Sequence, residues 1–206
     1  MPDLSHETRH GRAAGKVICG VDEVGRGPLA GPVVAAAAIL PGRLPRELRR
    51  EIKDSKKMSA AAREALYPQL ISCCLYAVAE ASVAEIDSLN ILWASMLAMQ
   101  RAVNALNTVI DIALIDGNRA PDLPCRAEAI IGGDDKSLSI AAASIIAKVH
   151  RDRMMAELAA SFPSYGWEHN AGYGTAEHLR ALVEFGVTPW HRVSFAPCRE
   201  AAKKAG

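Results

Sequence analysis

The sequence of 206 residues lacks most of the short motifs by which common enzyme classes are recognised. Its five cysteines form no C-x-x-C pair, which argues against a zinc ribbon or a redox motif and indicates reduced thiols. G-x-S-x-G and G-K-[S/T] are both missing, which argues against serine hydrolases and P-loop proteins. The histidines at 150, 169, 178 and 191 are scattered without the spacing of metal ligands.

The net charge of the sequence is also small, and long apolar runs are missing. The net charge is +1, so binding to nucleic acid would need a local basic surface rather than the field of the whole protein. No proline-free run of about 18 uncharged apolar residues occurs, so we expect no membrane span. Residues 1–16 lack the apolar core of a signal peptide. These absences predict a soluble, cytoplasmic protein.

Alternating strand-like and helix-like segments predict an α/β fold. Apolar runs predict five strands, at about 17–22, 32–40, 74–83, 109–115 and 127–131. Periodicity and capping residues predict helices at about 60–72, 84–106, 137–161 and 175–185. The early strands suggest an antiparallel meander, and the later strand–helix alternation implies parallel neighbours. We therefore expect a mixed five-stranded sheet flanked by helices, with a C-terminal helical or irregular extension.

The stretch from Val17 to Pro32 is the one around which the rest of the chain is arranged. A buried strand ends in Asp22 and Glu23, and Gly25-Arg26-Gly27 follows at once. Two acids beside a flexible basic loop suit a divalent cation held against a phosphate. The loop also fits G-x-G-x-x-G/A, the dinucleotide-binding fingerprint, but that motif requires a helix to begin there. Two prolines and a short apolar run predict a second strand instead.

Acidic residues follow three of the predicted strands. Asp22 and Glu23 end the first, Asp116 follows the strand at 109–115, and Asp134 with Asp135 follows the strand at 127–131. Sites in open α/β sheets form outside the carboxyl ends of strands, so these acids converge if the strands are neighbours. Repulsion within such a cluster is relieved by bound Mg²⁺ or Mn²⁺. The alternative is that Asp116 merely begins a turn with its glycine.

Other residues suit contacts with a nucleic-acid backbone. Ser144, Lys148 and Arg151 share one face of the long predicted helix and could follow phosphates, although such a stripe is by default a solvated face. Tyr173 lies between two glycines, where backbone freedom lets an aromatic ring meet a sugar or base. The alternative for Tyr173 is a side chain that packs under its own loop.

Longer motifs extend these features over about residues 17–195. They are D-E-V-G-R-G-P-L-A-G-P (22–32), D-S-K (54–56), D-G (116–117), S-I-A-A-A-S-I-I-A-K-V (139–149) with Arg151-Asp152, and G-Y-G-T (172–175). Together they resemble the type 2 ribonucleases H, specifically the bacterial ribonuclease HII family. The resemblance implies a ribonuclease H-like catalytic domain at 16–160. We expect a disordered tail at 1–15 and an extension at 161–206 that packs on this domain and completes the substrate site.

The resemblance also implies an activity. It is a two-metal endoribonuclease that uses Mg²⁺ or Mn²⁺ to hydrolyse the RNA strand of RNA–DNA hybrids. It also incises 5′ of single ribonucleotides in duplex DNA, leaving a 3′-hydroxyl and a 5′-phosphate, as ribonucleotide removal in DNA repair requires. We expect a monomer with no small-molecule cofactor and no membrane partner.

The family's site residues correspond to positions of this sequence. Its catalytic, metal-binding acids correspond to Asp22, Glu23, Asp116 and Asp134. Relatives often place lysine and glycine before the fourth acid, whereas here two glycines precede it and Asp135 follows, so Asp135 stays an alternative. Its substrate-binding residues correspond to Gly25, Arg26, Gly27, Lys56, Ser144, Lys148 and Tyr173.

Two functions of other classes stay open on the residues alone. The acids could hold a structural ion in a non-catalytic module that binds nucleic acid. A dinucleotide enzyme is the other possibility, weakened because no helix is predicted at the glycine loop. Cleavage of a labelled duplex that contains one ribonucleotide, with and without Mg²⁺, separates the three.

Overall fold

The computed structural model describes residues 1–204, and the chain divides into two compact units. The first unit comprises Met1–Val24, Val34–Glu80 and Met96–Val149. The second comprises Gly25–Val33, Ala81–Ser95 and the chain from His150 onward, which includes the predicted C-terminal extension. Among the described residues, no helix is both long and apolar enough to cross a bilayer.

Five strands form one mixed sheet, as predicted. They are β1 (Ile18–Val24), β2 (Val33–Ile39), β3 (Leu75–Ala81), β4 (Ile112–Asp116) and β5 (Arg126–Ile130), in the order β3-β2-β1-β4-β5. β1 pairs antiparallel with β2 and parallel with β4, and β4 pairs parallel with β5. Because β2 is a strand, the glycine loop before it lacks the helix that dinucleotide binding needs.

Helices α1 to α9 complete the chain. They are Ser5–Arg9, Arg46–Glu51, Ala60–Cys73, Val83–Leu89, Ile91–Ala105, Leu138–Ser161, Trp167–Asn170, Ala176–Phe185 and Ala196–Lys204. The single helix predicted over 84–106 is wrong, because Asn90 adopts a φ of 70° and separates α4 from α5. Its Oδ1 accepts hydrogen bonds from the backbone N–H groups of Leu92 and Trp93, so Asn90 also caps the start of α5.

The core of the first unit forms where the N-terminal half of α6 lies against β2 and α3. Alanines 141–143 of α6 and Ala36 and Ala38 of β2 are fully buried. Small side chains let the helix and the sheet approach closely, while Leu66 and Leu70 of α3 fill the remaining space. Burial of this apolar area contributes about 25 cal/mol per Å². The core fixes β1 and α6, which carry several of the predicted site residues.

The N-terminal segment is ordered, whereas the sequence predicts a disordered tail at 1–15. α1 places the fully buried Glu7 at the start of α6. Its Oε1 accepts hydrogen bonds from Ser137 Oγ (2.7 Å), Ser139 Oγ (2.7 Å) and Ser139 N (2.9 Å). A carboxylate is stabilised there by the positive end of the helix dipole. The sequence does not reveal this contact because its partners lie 130 residues apart.

The second unit has its own aromatic core. Tyr165 and Trp167 stack with ring centroids 5.3 Å apart, and Phe162 lies 5.5 Å from Trp167. Leu29 and Ala30, from the chain that follows the glycine loop, are buried in the same cluster. This packing connects the residues after Gly25-Arg26-Gly27 to the C-terminal part of the chain.

Candidate active site

Three predicted acids meet in the first unit. Asp22, Asp116 and Asp134 each offer a carboxylate oxygen, and these oxygens lie within 4.8 Å of one another. Asp22 lies in β1, Asp116 ends β4, and Asp134 lies in the 3₁₀ turn that follows β5. Because β1, β4 and β5 are parallel neighbours, their carboxyl ends deliver the acids to one edge of the sheet. Glu23, half-buried, follows Asp22 and donates its backbone N–H to Asp22 Oδ1 at 2.7 Å.

The electrostatics of the three acids suit a bound cation. Burial raises the pKa of Asp22 well above its usual value, and the neighbouring Glu23 and Asp116 raise it further. Burial likewise raises the pKa of Asp134. A group of buried carboxylates is costly to charge, and a divalent cation removes that cost. The donor set is all oxygen, which hard cations such as Mg²⁺ and Mn²⁺ prefer. The residues therefore fit a metal centre.

Lys56 places a positive charge beside this cluster. Its Nζ lies 3.2 Å from Asp134 Oδ2. Partial burial works against the ammonium charge, but the carboxylates of Asp22 and Asp134 outweigh it and raise the pKa of Lys56. The backbone N–H of Lys56 donates to Asp54 Oδ1 at 2.9 Å, and Arg63 holds the Ser55 carbonyl at 2.8 Å. The D-S-K motif thus aims an ammonium at the acids.

The structure separates the two neighbouring aspartates after β5. Asp134 is 5% exposed and belongs to the acid cluster. The side chain of Asp135 is 48% exposed, and its carboxylate lies 3.0 Å from Lys57 Nζ, whose hydrogen bond lowers the pKa of Asp135. The geometry therefore favours Asp134 over the alternative Asp135 as the fourth acid.

Helix α6 does not expose all three of the side chains that its spacing places on one face. Ser144 is 4% exposed, lies 2.8 Å from Ser55 Oγ, and hydrogen-bonds Asp22, which partly offsets the rise in the pKa of Asp22. Lys148 is half-buried. Arg151 is fully buried and donates to backbone carbonyls, so its interpretation as a phosphate contact is wrong. Helical spacing places residues on one face but does not show what covers that face.

The glycine loop and Tyr173 come together in the second unit. A Cβ added to Gly27 would lie 3.2 Å from Tyr173 Cε1, so the bare glycine lies against the ring. Gly25 has a φ of +93°, and a Cβ there would lie 2.2 Å from Arg151 Nε. Only glycine suits both the left-handed backbone and the guanidinium beside it. Tyr173 is 45% exposed, so its ring is accessible to a ligand.

The buried His178 holds the backbone of Tyr173 and is itself paired with the buried His191. His191 Nδ1 accepts from the backbone N–H of Thr188 (2.9 Å), so its proton resides on Nε2, which faces His178 Nε2 at 3.0 Å. His178 Nε2 also accepts from Trp167 Nε1 (3.2 Å), so the proton of His178 is on Nδ1 and reaches the Tyr173 carbonyl at 2.9 Å. This chain of hydrogen bonds requires both imidazoles to be neutral.

Lowering the pH should reduce the folding stability of the protein through this histidine pair. Burial, with His178 nearby, lowers the pKa of His191 to about 3, and burial lowers the pKa of His178. Below the usual histidine pKa of about 6.5, the histidines are protonated in the unfolded chain but stay neutral in the folded chain. The free energy of unfolding therefore decreases as the pH falls from about 6.5 towards 3. Compared with His191→Gln, the wild-type free energy of unfolding should lose up to about 1.4 kcal/mol more per pH unit. Denaturant unfolding between pH 7 and 4 measures this difference, and parallel curves would contradict it.

Similar solved structures identify the fold of this chain. Ribonuclease H2 from Pyrococcus horikoshii superposes with a TM-score of 0.78 over 91% of this chain and 98% of its own, at 27% identity. Bst-RNase HIII, solved in complex with Mn²⁺, gives a TM-score of 0.74 over 92% of this chain and 70% of its own, at 20% identity. The chain has the ribonuclease H-like fold, as the resemblance implies.

Sequence comparisons specify the family. The family model for ribonuclease HII matches residues 19–198. Ribonuclease HII from Rhodospirillum rubrum is 58% identical over 208 aligned residues, which cover all of this chain and 94% of that protein. The chain belongs to the ribonuclease HII family and is a metal-dependent endoribonuclease that cleaves the RNA of RNA–DNA hybrids. The predicted family and enzyme class are therefore confirmed.

Proposed function

We propose that this endoribonuclease also incises 5′ of single ribonucleotides embedded in duplex DNA, which serves ribonucleotide removal in DNA repair. The contact of Gly27 with the partly exposed ring of Tyr173 carries the proposal. Ribose differs from deoxyribose by its 2′-hydroxyl, which both donates and accepts hydrogen bonds. Backbone groups of Gly25-Arg26-Gly27 can approach that hydroxyl closely because glycine adds no side chain. Tyr173 then stacks on the next sugar only where that sugar is deoxy.

The acid cluster supplies the chemistry. Asp22, Glu23, Asp116 and Asp134 would hold two divalent ions, Mg²⁺ or Mn²⁺, and Mn²⁺ is the ion bound to the structural relative Bst-RNase HIII. Ions held there would supply an activated water for attack on the phosphodiester and would stabilise the leaving 3′ oxygen. The carboxylates would orient these ions, and the ammonium of Lys56, beside Asp134, would attract the phosphate of the substrate.

The remaining predicted contacts complete the proposal. Ser144, which hydrogen-bonds Asp22, would orient that carboxylate as well as lie near a phosphate. Lys148, four residues further along α6, would bind a phosphate of the nucleic acid. The products would carry a 3′-hydroxyl and a 5′-phosphate. We propose that the enzyme works as a monomer in the cytoplasm, without a small-molecule cofactor.

A cleavage assay tests the proposal directly. A labelled duplex with one ribonucleotide should be cut once, 5′ of the ribonucleotide, in Mg²⁺ or Mn²⁺ and not in EDTA. A hybrid with a continuous RNA strand serves as the positive control, and an all-deoxy duplex as the negative control. Cleavage of the hybrid without incision at the single ribonucleotide would restrict the enzyme to hybrids. Binding without cleavage of either would instead favour a non-catalytic module.

Tyr173→Ala should impair incision at a single ribonucleotide more than cleavage within continuous RNA. One lost stacking contact costs about 1–3 kcal/mol, and it is lost only where a deoxy sugar follows the ribonucleotide. The measurement is kcat/KM for both substrates. Tyr173→Phe keeps the ring and should behave like the wild type. An equal loss on the two substrates in Tyr173→Ala would mean that the ring only packs the loop.

A further inference from the structure

Two arginines of the second unit lie inside the protein without contact with solvent. Arg151, in α6, and Arg192, before α9, are both 0% exposed. Burial lowers their pKa values to about 10 and about 9, so both guanidinium groups stay charged at neutral pH. A buried charge is tolerated only where hydrogen bonds replace water. Their hydrogen-bond partners therefore indicate what these two charges do.

Arg192 binds three carbonyls of the glycine loop. Its Nη2 donates to Gly25 O (2.6 Å) and Gly31 O (2.7 Å), its Nη1 donates to Arg26 O (3.1 Å), and its Nε also donates to Gly31 O (2.9 Å). The ring of Phe195 lies 5.3 Å from the guanidinium carbon. A planar fork with five donors can span these carbonyls, whereas a lysine ammonium cannot.

Arg151 binds the other half of the same loop. Its Nη2 donates to Ala30 O (2.9 Å) and its Nε to Pro32 O (3.1 Å). Its Nη1 donates to Ala171 O (2.9 Å), two residues before Tyr173. One guanidinium therefore connects the glycine loop to the turn that carries the exposed ring.

The carbonyl contacts of Arg192 determine where the loop's N–H groups point. In a trans peptide the C=O of one residue is antiparallel to the N–H of the next. Since the carbonyls of Gly25 and Arg26 face Arg192, the N–H groups of Arg26 and Gly27 point away from it. Two successive N–H groups directed to one side form a site for an oxygen ligand. Arg26 and Gly27 are exposed, so a ligand can reach this side.

We propose that Arg192 and Arg151 are positioning residues for substrate discrimination: their buried guanidinium groups hold the carbonyls of residues 25–32 so that the loop's N–H groups face the ribose. The proposal rests on the proposed function, in which this loop reads the 2′-hydroxyl. Neither arginine touches the substrate. They act through the backbone, so their loss should change the recognition of ribose more than the attraction to phosphates.

The test compares Arg192→Lys and Arg151→Lys with Arg180→Lys, an exposed control on α8. Binding to a duplex with one ribonucleotide and to the same all-deoxy duplex is measured in EDTA, where no cleavage occurs. The affinity ratio is the affinity for the duplex with one ribonucleotide divided by that for the all-deoxy duplex. In both buried variants this ratio should fall about tenfold or more, the scale of one lost charge-assisted hydrogen bond, while the affinity for the all-deoxy duplex stays unchanged. Arg180→Lys should keep the wild-type ratio.

Thermal unfolding separates positioning from general packing. A lower melting temperature with an unchanged affinity ratio would overturn the proposal and leave the arginines a purely structural role. Failure of both variants to fold would also overturn it, because the groups would then serve the core. If the wild type neither incises at nor prefers the single ribonucleotide, the proposed function fails instead. That outcome is distinguishable because it appears before any substitution is made.

Discussion

Asp22→Asn is expected to abolish cleavage of an RNA–DNA hybrid and, at the same time, to stabilise the metal-free protein. Asp22 is buried at the centre of the acid cluster, so its loss removes an anionic oxygen ligand from the ion site. Metal ions contribute several kcal/mol to such reactions, and kcat should fall about a thousandfold or more. Single-turnover cleavage in millimolar Mg²⁺ measures the loss.

The gain in stability follows from the raised pKa of Asp22. A carboxyl whose folded pKa is raised binds more protons when folded, so the free energy of unfolding decreases as pH rises through that range. Asparagine removes this penalty, and the variant should melt higher than the wild type in EDTA at pH 7, by about 2–4 °C for each 1 kcal/mol regained.

The exposed Asp122→Asn is a matched control that should alter neither activity nor melting. Normal turnover by Asp22→Asn would exclude the acid cluster as the metal centre. A lower melting temperature in EDTA would mean that the negative charge of Asp22 stabilises the metal-free fold.

Asp134→Asn and Asp135→Asn should differ widely although the residues are adjacent. Asp134 belongs to the acid cluster and pairs with Lys56, whereas Asp135 pairs with Lys57 at the surface. Loss of a metal ligand should lower kcat/KM about a hundredfold or more, while loss of an exposed ion pair costs about 0–1 kcal/mol of stability. Each variant is the matched control of the other, with the same chemical change one residue apart.

Titration with Mg²⁺ sharpens this comparison. Asp134→Asn should need a higher Mg²⁺ concentration for half-maximal rate, because one oxygen ligand is weakened, whereas Asp135→Asn should follow the wild-type curve. Severe impairment of Asp135→Asn with normal Asp134→Asn would reverse the assignment of the fourth acid. Equal impairment of both would indicate that the 3₁₀ turn, rather than either side chain, controls activity.

The sequence predicts those parts of the fold that depend on local patterns. Apolar runs followed by acids locate β1, β4 and the turn after β5, and the rule that sites form at strand ends brings Asp22, Asp116 and Asp134 together. Thr175 accepts a hydrogen bond from the backbone N–H of His178 and begins α8, as its capping residue type indicates. In each case the signal lies within a few residues.

Features that depend on contacts between distant residues cannot be predicted from local sequence patterns. Arg192 lies in an irregular segment with no motif, and only the folded structure shows that its partners are carbonyls near residue 25. Glu7 resembles any surface acid until its partners 130 residues away are known. Arg151 shares a helix face with Lys148, yet burial makes it a ligand of the backbone rather than of a phosphate. Helical periodicity shows which residues share a face of a helix, but it does not show which other segment of the chain packs on that face.

The glycine loop and Arg192 lie far apart in the sequence, so the ribosome synthesises them at different times. Gly31 and Arg192 are 161 residues apart, so at 5–20 residues per second their synthesis is separated by roughly 8 to 32 s. During that interval the emerging loop lacks the guanidinium that binds the carbonyls of Gly25, Arg26 and Gly31. If Arg192 positions the glycine loop as proposed, a nascent chain can form the strands of its sheet before that loop is held for the recognition of ribose.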